Sequence, residues 1–393
     1  MHIPIIKRAK EKGIYVITCD YIPENEGHKY ADECFFDSTT DINAVYNIAK
    51  RCNVEGIMTF NSDPAAISAA YIAEQLRLPG SGYNAVKIMS EKDLFRKFLS
   101  ENGFNVPYFS QYTEVETLLN DIKNKKFNFP IMMKPVDSSG SKGVVKIDKE
   151  ENISEYFKNA LNFSRCKRII VEEFIEGKGA QLHGDAFIYN NKIEFIYLGD
   201  HHFDSSINNL VPISTTFPSK HSSEDITRVE YEVQKFISKV GFKQGGINIE
   251  ARISARDGKV YLIEVGPRNG GNFTPIIIQY ASGYNFMDSY LDSVLGEEYK
   301  QQQPKKDGYF AYMIIHSKND GILKRIEISE DLNSKVIERY DYAKPGNEIK
   351  SFRGANSAIG VMLVKFSSME EMTEYVDNMD NYCKVYTEWI LKT

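Results

Sequence analysis

GGINIEARISARDGKVYLIEVGPRNGGN, residues 245–272, reads as two strands of alternating polarity joined by a polar turn and followed by a loop bearing glycines and an arginine. Asn248, Glu250 and Arg252 alternate with Ile247, Ile249 and Ile253, the period of a half-buried strand. Beyond Arg256-Asp257-Gly258 the alternation resumes with Val260 and Leu262, and Glu264 stands near its end. The length of the connection matters. A two-residue turn at Asp257-Gly258 pairs Ala251 with Glu264 and sends the two glutamates to opposite faces. A three-residue loop closed by a left-handed glycine sets Glu250 opposite Glu264. Facing carboxylates lie roughly 5 Å apart at Cβ and repel unless a positive group sits between them. Magnesium, a hard cation that takes a few carboxylates plus phosphate oxygens, suits such a pair. The plain alternative is an edge hairpin with solvated glutamates.

Working outward, the chain before this stretch alternates strand and helix patterns. Residues 3–12 have a helical period and 14–18 (IYVIT) read as a buried strand. Residues 42–52 read as a helix, 56–60 as a second strand, and 64–76 as a helix with Pro64 in its first turn. This order implies a small parallel α/β unit, although the sequence begins inside a helix at Met1-His2-Ile3-Pro4, without the strand that normally leads such a unit. Residues 90–102 read as one helix carrying Lys92 and Arg96. Then Pro130–Pro135, with Lys134, leads into Ser138-Ser139-Gly140-Ser141-Lys142-Gly143 and a short strand. That connection offers several backbone N–H groups to an anion. It is not the Walker phosphate loop, because the GxxxxGK[ST] spacing and the following helix are absent. RIIVEEFI, residues 168–175, reads as a strand whose edge suits an adenine. A hairpin turns at Asn190-Asn191. From Gly199 through His201 and His202 to Ser223 the pattern becomes irregular, and 225–240 is an amphipathic helix. After residue 300, strands near 309–316, 322–328, 358–366 and 383–388 and a helix near 368–379 make a small α+β tail.

Composition narrows the class. With 393 residues the chain exceeds a single core, and 42% apolar with 26% charged residues is ordinary for a globular protein. A formal net charge of −6 argues against a nucleic-acid partner. No apolar run reaches the roughly 18 residues of a membrane span, and the N-terminus is not a signal peptide. Five scattered cysteines without a CxxC pair point to reduced thiols in a cytoplasmic protein and away from zinc.

Lys92, Lys134, the Ser/Gly loop, VEEFIEG (171–177), Glu250 and EVGPRNGG (264–271) stand in the order and approximate spacing of the ATP-grasp superfamily, which the chain resembles over about residues 1–300. Within it the chain looks most like carbamoyl-phosphate-synthase-large-subunit-like proteins and carboxylate–amine (amino-acid) ligases; its tail resembles the last domain of biotin-carboxylase-like members. The resemblance implies a parallel α/β unit at 1–89, an ATP-grasp fold of two α+β subdomains at 90–300 and an α+β domain at 301–393. It implies ATP and Mg²⁺, with Mn²⁺ as an alternative ion, small-molecule carboxylate and amine substrates, and leaves a homodimer open. Carried over by position, Lys92 and Lys134 reach ATP phosphates, and Ser139, Gly140 and Ser141 form the lid, with Lys142 as an added cation. Glu172, Glu173, Phe174 and Ile175 form the adenine hinge. Glu250 and Glu264 are the metal ligands. Lys134 and Arg268 are catalytic, Arg268 holding the acceptor carboxylate and then the acyl phosphate.

Three departures accompany the resemblance. Gly266 stands where the family's EXNPR has a metal-binding asparagine, so water, ATP oxygens or Asn248 must complete the coordination. The region after the hinge reads Gly177-Lys178-Gly179 in place of a ribose-binding acid. No lysine lies between Lys192 and Lys220, which leaves His201 or His202, with His202 the choice, for a third phosphate contact. The implied reaction is ligation of a carboxylate to an amine through an acyl phosphate. The alternatives are bicarbonate-using carboxylation or carbamoyl-phosphate-type chemistry, and ATP binding without turnover.

Overall fold

The computed structural model describes residues 2–388; Met1 and residues 389–393, the last of the tail read above, lie outside the described residues. The first helix, Ile3–Glu11, precedes β1 (Ile17–Cys19), which pairs in parallel with β2 (Glu33–Phe35). Helices Ile42–Arg51 and Asp63–Leu76 follow. Residues 56–60, expected as a strand, join no ladder: the sheet beside them has two strands. Their anchor is Phe60 instead, which is 1% exposed and packs edge-on against Tyr290. The helix expected at 90–102 is two helices, Tyr83–Ser90 and Lys92–Glu101, broken where Glu91 takes an extended conformation.

A four-stranded antiparallel sheet follows, built from β3 (Phe109–Tyr112), β4 (Ile131–Pro135), β5 (Val145–Ile147) and β6 (Ile169–Glu173) in the order β3-β6-β4-β5. Alternation decides what each side chain does here. Ile131 and Met133 of β4 and Ile169 and Val171 of β6 are fully buried with Leu118, Ile122, Phe157 and Ala160 of two helices. Met132, Lys134 and Glu172 therefore face the other way, toward a cleft.

The larger sheet contains β7 (Gln181–Tyr189), β8 (Lys192–Asp204), β9 (Asn208–Phe217), β10 (Gly245–Ile253), β11 (Val260–Gly266) and β12 (Tyr309–Ile315). After β13 (Gly321–Ile328), which lies in a separate three-stranded sheet, it adds β14 (Val336–Asp341) and, past β15 (Glu348–Ile349), β16 (Gly360–Phe366). The order is β11-β10-β7-β8-β9-β12-β16-β14, so strands from beyond residue 300 extend the sheet that carries the glutamates. The β7–β8 turn uses Asn190 and Asn191 at φ 51° and 61°, as a tight hairpin with both central residues left-handed requires. One face is covered by helix Ser223–Val240, whose Phe236 packs edge-on against Phe95 and Phe98 of helix Lys92–Glu101. The other face carries helices Thr274–Ser282 and Phe286–Val294.

The stretch from Gly199 to Phe217, expected to be irregular, is instead ordered as the end of β8 and the whole of β9. Its alternation is masked because buried positions hold polar residues that bond to one another. His201 pairs with Thr215, His202 with Thr216, and Ser214 donates to Tyr312 O. Among the described residues no helix is long and apolar enough to cross a membrane.

Candidate active site

Glu250 and Glu264 are register partners, on neighbouring strands and the same face. The route differs from the expected three-residue loop. Ser254 N–H bonds Lys259 O (2.9 Å) and Gly258 N–H bonds Ser254 O (2.9 Å), closing a four-residue connection with Gly258 at φ 65°. That loop alone gives the wrong parity. A β-bulge between Glu250 and Ala251 then shifts the register by one residue, pairing Ala251 with Leu262 but Glu250 with Glu264. Both carboxylates line a cleft of about 520 Å³ between the two sheets.

Positive groups converge on them. Lys92 Nζ lies 3.8 Å from Glu264 Oε2, and Arg268 Nη2 lies 4.0 Å from Glu264 Oε1. Glu250 accepts a hydrogen bond from Gln181 Nε2 (2.8 Å) and has His201 Nε2 at 3.9 Å. Burial, and then the neighbouring Glu264, push the Glu250 carboxyl up to about 7. A carboxylate pair in this condition would be relieved by a cation, and its oxygen donors suit Mg²⁺. Among the described residues no cluster of three or more His, Cys, Asp or Glu side chains is placed to hold a metal. Asn248 Nδ2 donates to Asp185 Oδ1 (2.9 Å) and Gly184 O (3.1 Å), with His183 Nε2 at 2.9 Å, and these contacts orient the side chain beside the glutamates.

Arg268 follows β11 in the GPRNGG loop. Its Nε and Nη2 donate to the two oxygens of Asp63 (2.7 and 2.8 Å) at the start of helix Asp63–Leu76, and Nη1 donates to Asn269 O (3.1 Å). Under the loop, Asp185 accepts from Gly270 N–H (2.9 Å to each oxygen) and from Asn269 Nδ2 (3.2 Å). A Cβ on Gly270 would meet Asp185, Asn248 and Thr274 at 2.9 Å, so the second glycine of the loop is sterically required. At Gly266 a Cβ would lie 3.6 Å from both the Arg268 guanidinium and Asp63 Oδ1, in ordinary contact with that pair.

Also lining the cleft, Lys134 contacts the Glu172 carboxylate, which accepts from Arg96 Nε (2.7 Å) and Nη2 (3.3 Å). Arg96 spans further, to Leu262 O (3.0 Å) and Ile263 O (3.1 Å). Burial alone would raise Glu172, but the Arg96 and Lys134 charges outweigh it and hold the carboxyl at about 2. Glu172, which the resemblance places in the adenine hinge, thus meets two cations. Glu173 accepts from Asn128 N–H (2.9 Å) and Nδ2 (2.6 Å). The Phe174 ring has Lys146 Nζ at 4.6 Å and the Arg252 guanidinium at 4.9 Å from its centroid, and Ile175 O accepts from Arg252 (2.7 Å).

The Ser139-Gly140-Ser141 loop lies over the cleft, with Gly140 and Ser141 at φ 64° and 57°. Ser141 Oγ donates to Leu210 O (2.7 Å), and Lys92 Nζ to Ser138 O (2.7 Å). Two expected residues are elsewhere. Lys142 is exposed and does not line the cleft. His202 alternates to the other face of β8, 3.0 Å from Thr216 Oγ1 and 3.3 Å from Asp377, while its neighbour His201 takes the cleft side. His201 stacks on His183 with centroids 4.0 Å apart, and burial drives its pKa well below the ordinary value, so the ring is neutral near pH 7. Sequence reasoning assigned no role to Asp63, Arg96, Gln181, His183 or Arg252. Only Arg252 carried a signal, its period-two alternation with Glu250.

Residues 127–276, which include Lys134, the lid, the hinge and both glutamates, match the family model of the ATP-grasp domain. The protein carries an ATP-grasp domain. In sequence, the chain is 24% identical over 300 residues to the carbamoyl phosphate synthase large chain of Thermoanaerobacter pseudethanolicus, a match covering 74% of this chain and 27% of that one. It thus spans about a quarter of that relative's length. In fold it is similar to the L-amino acid ligase of Bacillus licheniformis (TM-score 0.82, 21% identity, 98% of this chain and 96% of that one). It is also similar to the biotin carboxylase domain dimer of Hydrogenobacter thermophilus 2-oxoglutarate carboxylase in complex with MgADP and bicarbonate (TM-score 0.72, 16% identity, 98% and 88%). The mixed α/β, ATP-grasp architecture expected from the sequence is the one found.

Proposed function

We propose that this protein is an ATP-dependent ligase that activates a small carboxylate as an acyl phosphate and joins it to an amine, releasing ADP and phosphate. The observation that carries the reading is the facing Glu250–Glu264 pair in one cleft with Lys92, Lys134 and Arg268. Glu250 and Glu264 would hold Mg²⁺, which when bound neutralises phosphate charge. Lys92 and Lys134 lower the repulsion between the triphosphate and the incoming carboxylate, both anionic. A carboxylate oxygen attacks the γ-phosphorus, the bond to the β-phosphate bridging oxygen breaks, and ADP leaves. The amine nitrogen then attacks the acyl carbon, forming C–N and breaking C–O to phosphate, with one proton lost from nitrogen. Arg268 lies where it can bind the oxygens that carry charge in both steps. The Ser138–Gly143 loop covers the acyl phosphate from water.

A second reading, activation of bicarbonate in carboxylation or carbamoyl-phosphate-type chemistry, is favoured by the 300-residue match to a carbamoyl phosphate synthase large chain. Phosphate release from ATP over pairs of amino acids and small acids, with bicarbonate as a separate arm, decides between them. Glu264→Gln is expected to abolish amine-dependent release with a native circular dichroism spectrum. Undiminished turnover in that variant removes the mechanism.

A further inference from the structure

The cleft is divided by charge. Every charged side chain that lines it belongs to the two N-terminal-side helices (Asp63, Lys92, Arg96), to the small sheet and its hinge, or to β10, β11 and the loop after them. Among the described residues, β8, β9 and β12 contribute no charged lining group. They present Phe203, Val211, Pro212, Tyr312 and Ile314, joined from the segment after β14 by Tyr342. Val211 is 2% and Tyr312 and Ile314 are each 1% exposed, so this wall is continuous with the core behind it. Two of the polar groups of the wall are already engaged: the Tyr312 hydroxyl with Thr215 and Asn272, and His201 Nδ1 with Thr215 Oγ1 at 2.6 Å; Asn209 adds an uncharged amide.

We infer that this wall is a side-chain pocket and that the substrate it receives is an α-amino acid with an uncharged, mainly apolar side chain. The assignment rests on the ligase reading above and names its substrate class. The ionic side offers both signs within a short span: Arg268 for a carboxylate and, beside it, the partly exposed Asp63 for an ammonium. A zwitterionic head finds partners of each sign there. A tail laid on this stretch of the sheet is buried against apolar carbon, whereas a carboxylate or ammonium tail would lose its water with no counter-ion to meet it. Bicarbonate would leave the wall unfilled.

The test is phosphate release with ATP across the amino acids, together with calorimetric titration of phenylalanine against wild type and Phe203→Ala. Phe203 is half-buried, and removing its ring leaves the core behind it intact. Leucine, methionine or phenylalanine should exceed aspartate, glutamate and lysine by about tenfold or more in kcat/KM. Phe203→Ala should weaken phenylalanine about tenfold in KM and in the calorimetric Kd, Phe203→Leu should restore most of it, and the KM for ATP should stay within about twofold. Charged amino acids serving equally well, or phenylalanine binding unchanged in Phe203→Ala or absent in wild type, overturns the pocket. If no amino acid releases phosphate yet phenylalanine binds and loses affinity in Phe203→Ala, the pocket stands and the ligase reading fails.

Discussion

Two arginine–carboxylate clusters line the cleft, and they are built differently. Arg96 and Glu172 are 3% and 5% exposed at the side chain, and Arg96 directs its donors to Glu172 and to two backbone carbonyls of β11. Arg268 and Asp63 are 11% and 23% exposed, and the guanidinium has a second carboxylate, Glu264, at 4.0 Å without a hydrogen bond to it. The Arg96 cluster ties one helix to both sheets and is saturated. Arg268 is held by Asp63 through Nε and Nη2 and by Asn269 O through Nη1, and it lines the cleft beside a carboxylate to which it is not bonded. Similar chemistry thus joins three elements at Arg96 and leaves part of the Arg268 fork for substrate.

That contrast breaks if the two arginines fail in the same way. Arg268→Ala should lower ligation by about 10²–10³-fold, the cost of removing one donor to a developing oxyanion. Its unfolding midpoint in urea should change little, because Asp63 remains partly solvated. Arg96→Leu should do the reverse. Removing one member of a buried ionic cluster costs about 3–5 kcal/mol, which chemical denaturation reads directly. Loss of activity should follow only from loss of folded protein. A stable, inactive Arg96→Leu variant, or an unfolded Arg268→Ala variant, would exchange the roles.

The two clusters were also unequally legible in the sequence. Arg268 stands in a Gly-rich loop after an alternating strand, a local pattern. Arg96 looks like any arginine on a helix, and its partners are 76 and 166–167 positions away, a distance no local period reports. The same limit explains the hairpin. Glu250 opposite Glu264 was read from parity with a three-residue loop, and the pairing is present, but it arises from a four-residue loop corrected by a bulge whose extra residue is Ile263. A bulge leaves no mark in an apolar run. The sequence leaves His201 or His202 for a third phosphate contact, with His202 the choice; β8 continues through both, and alternation places His201 in the cleft. The fold was legible because apolar periodicity is local, and those parts of the site made by side chains crossing between elements were not.

The smallest expected effect separates the clusters by pH. Glu172 has its folded carboxyl held at about 2, below the roughly 4.3 of an unfolded glutamate. A group depressed on folding contributes stability that is fully present above the unfolded value and is lost as pH falls from there through about 2, because the unfolded chain takes up the proton first. Asp185, under the Arg268 loop, is pushed the other way, to about 6, by burial against the hydrogen bonds from Asn248, Gly270 and Asn269. Its contribution has the opposite sign, a cost that appears as pH rises through about 4 to 6. Urea midpoints of wild type and Glu172→Gln, measured from about pH 2 to 6, should therefore converge at the acid end and diverge as pH rises through about 4. They should run parallel above pH 5, where both follow Asp185. Parallel curves throughout would mean that Arg96 and Lys134 do not hold the Glu172 charge, and the saturated cluster would then differ from the open one only in how deeply it is buried.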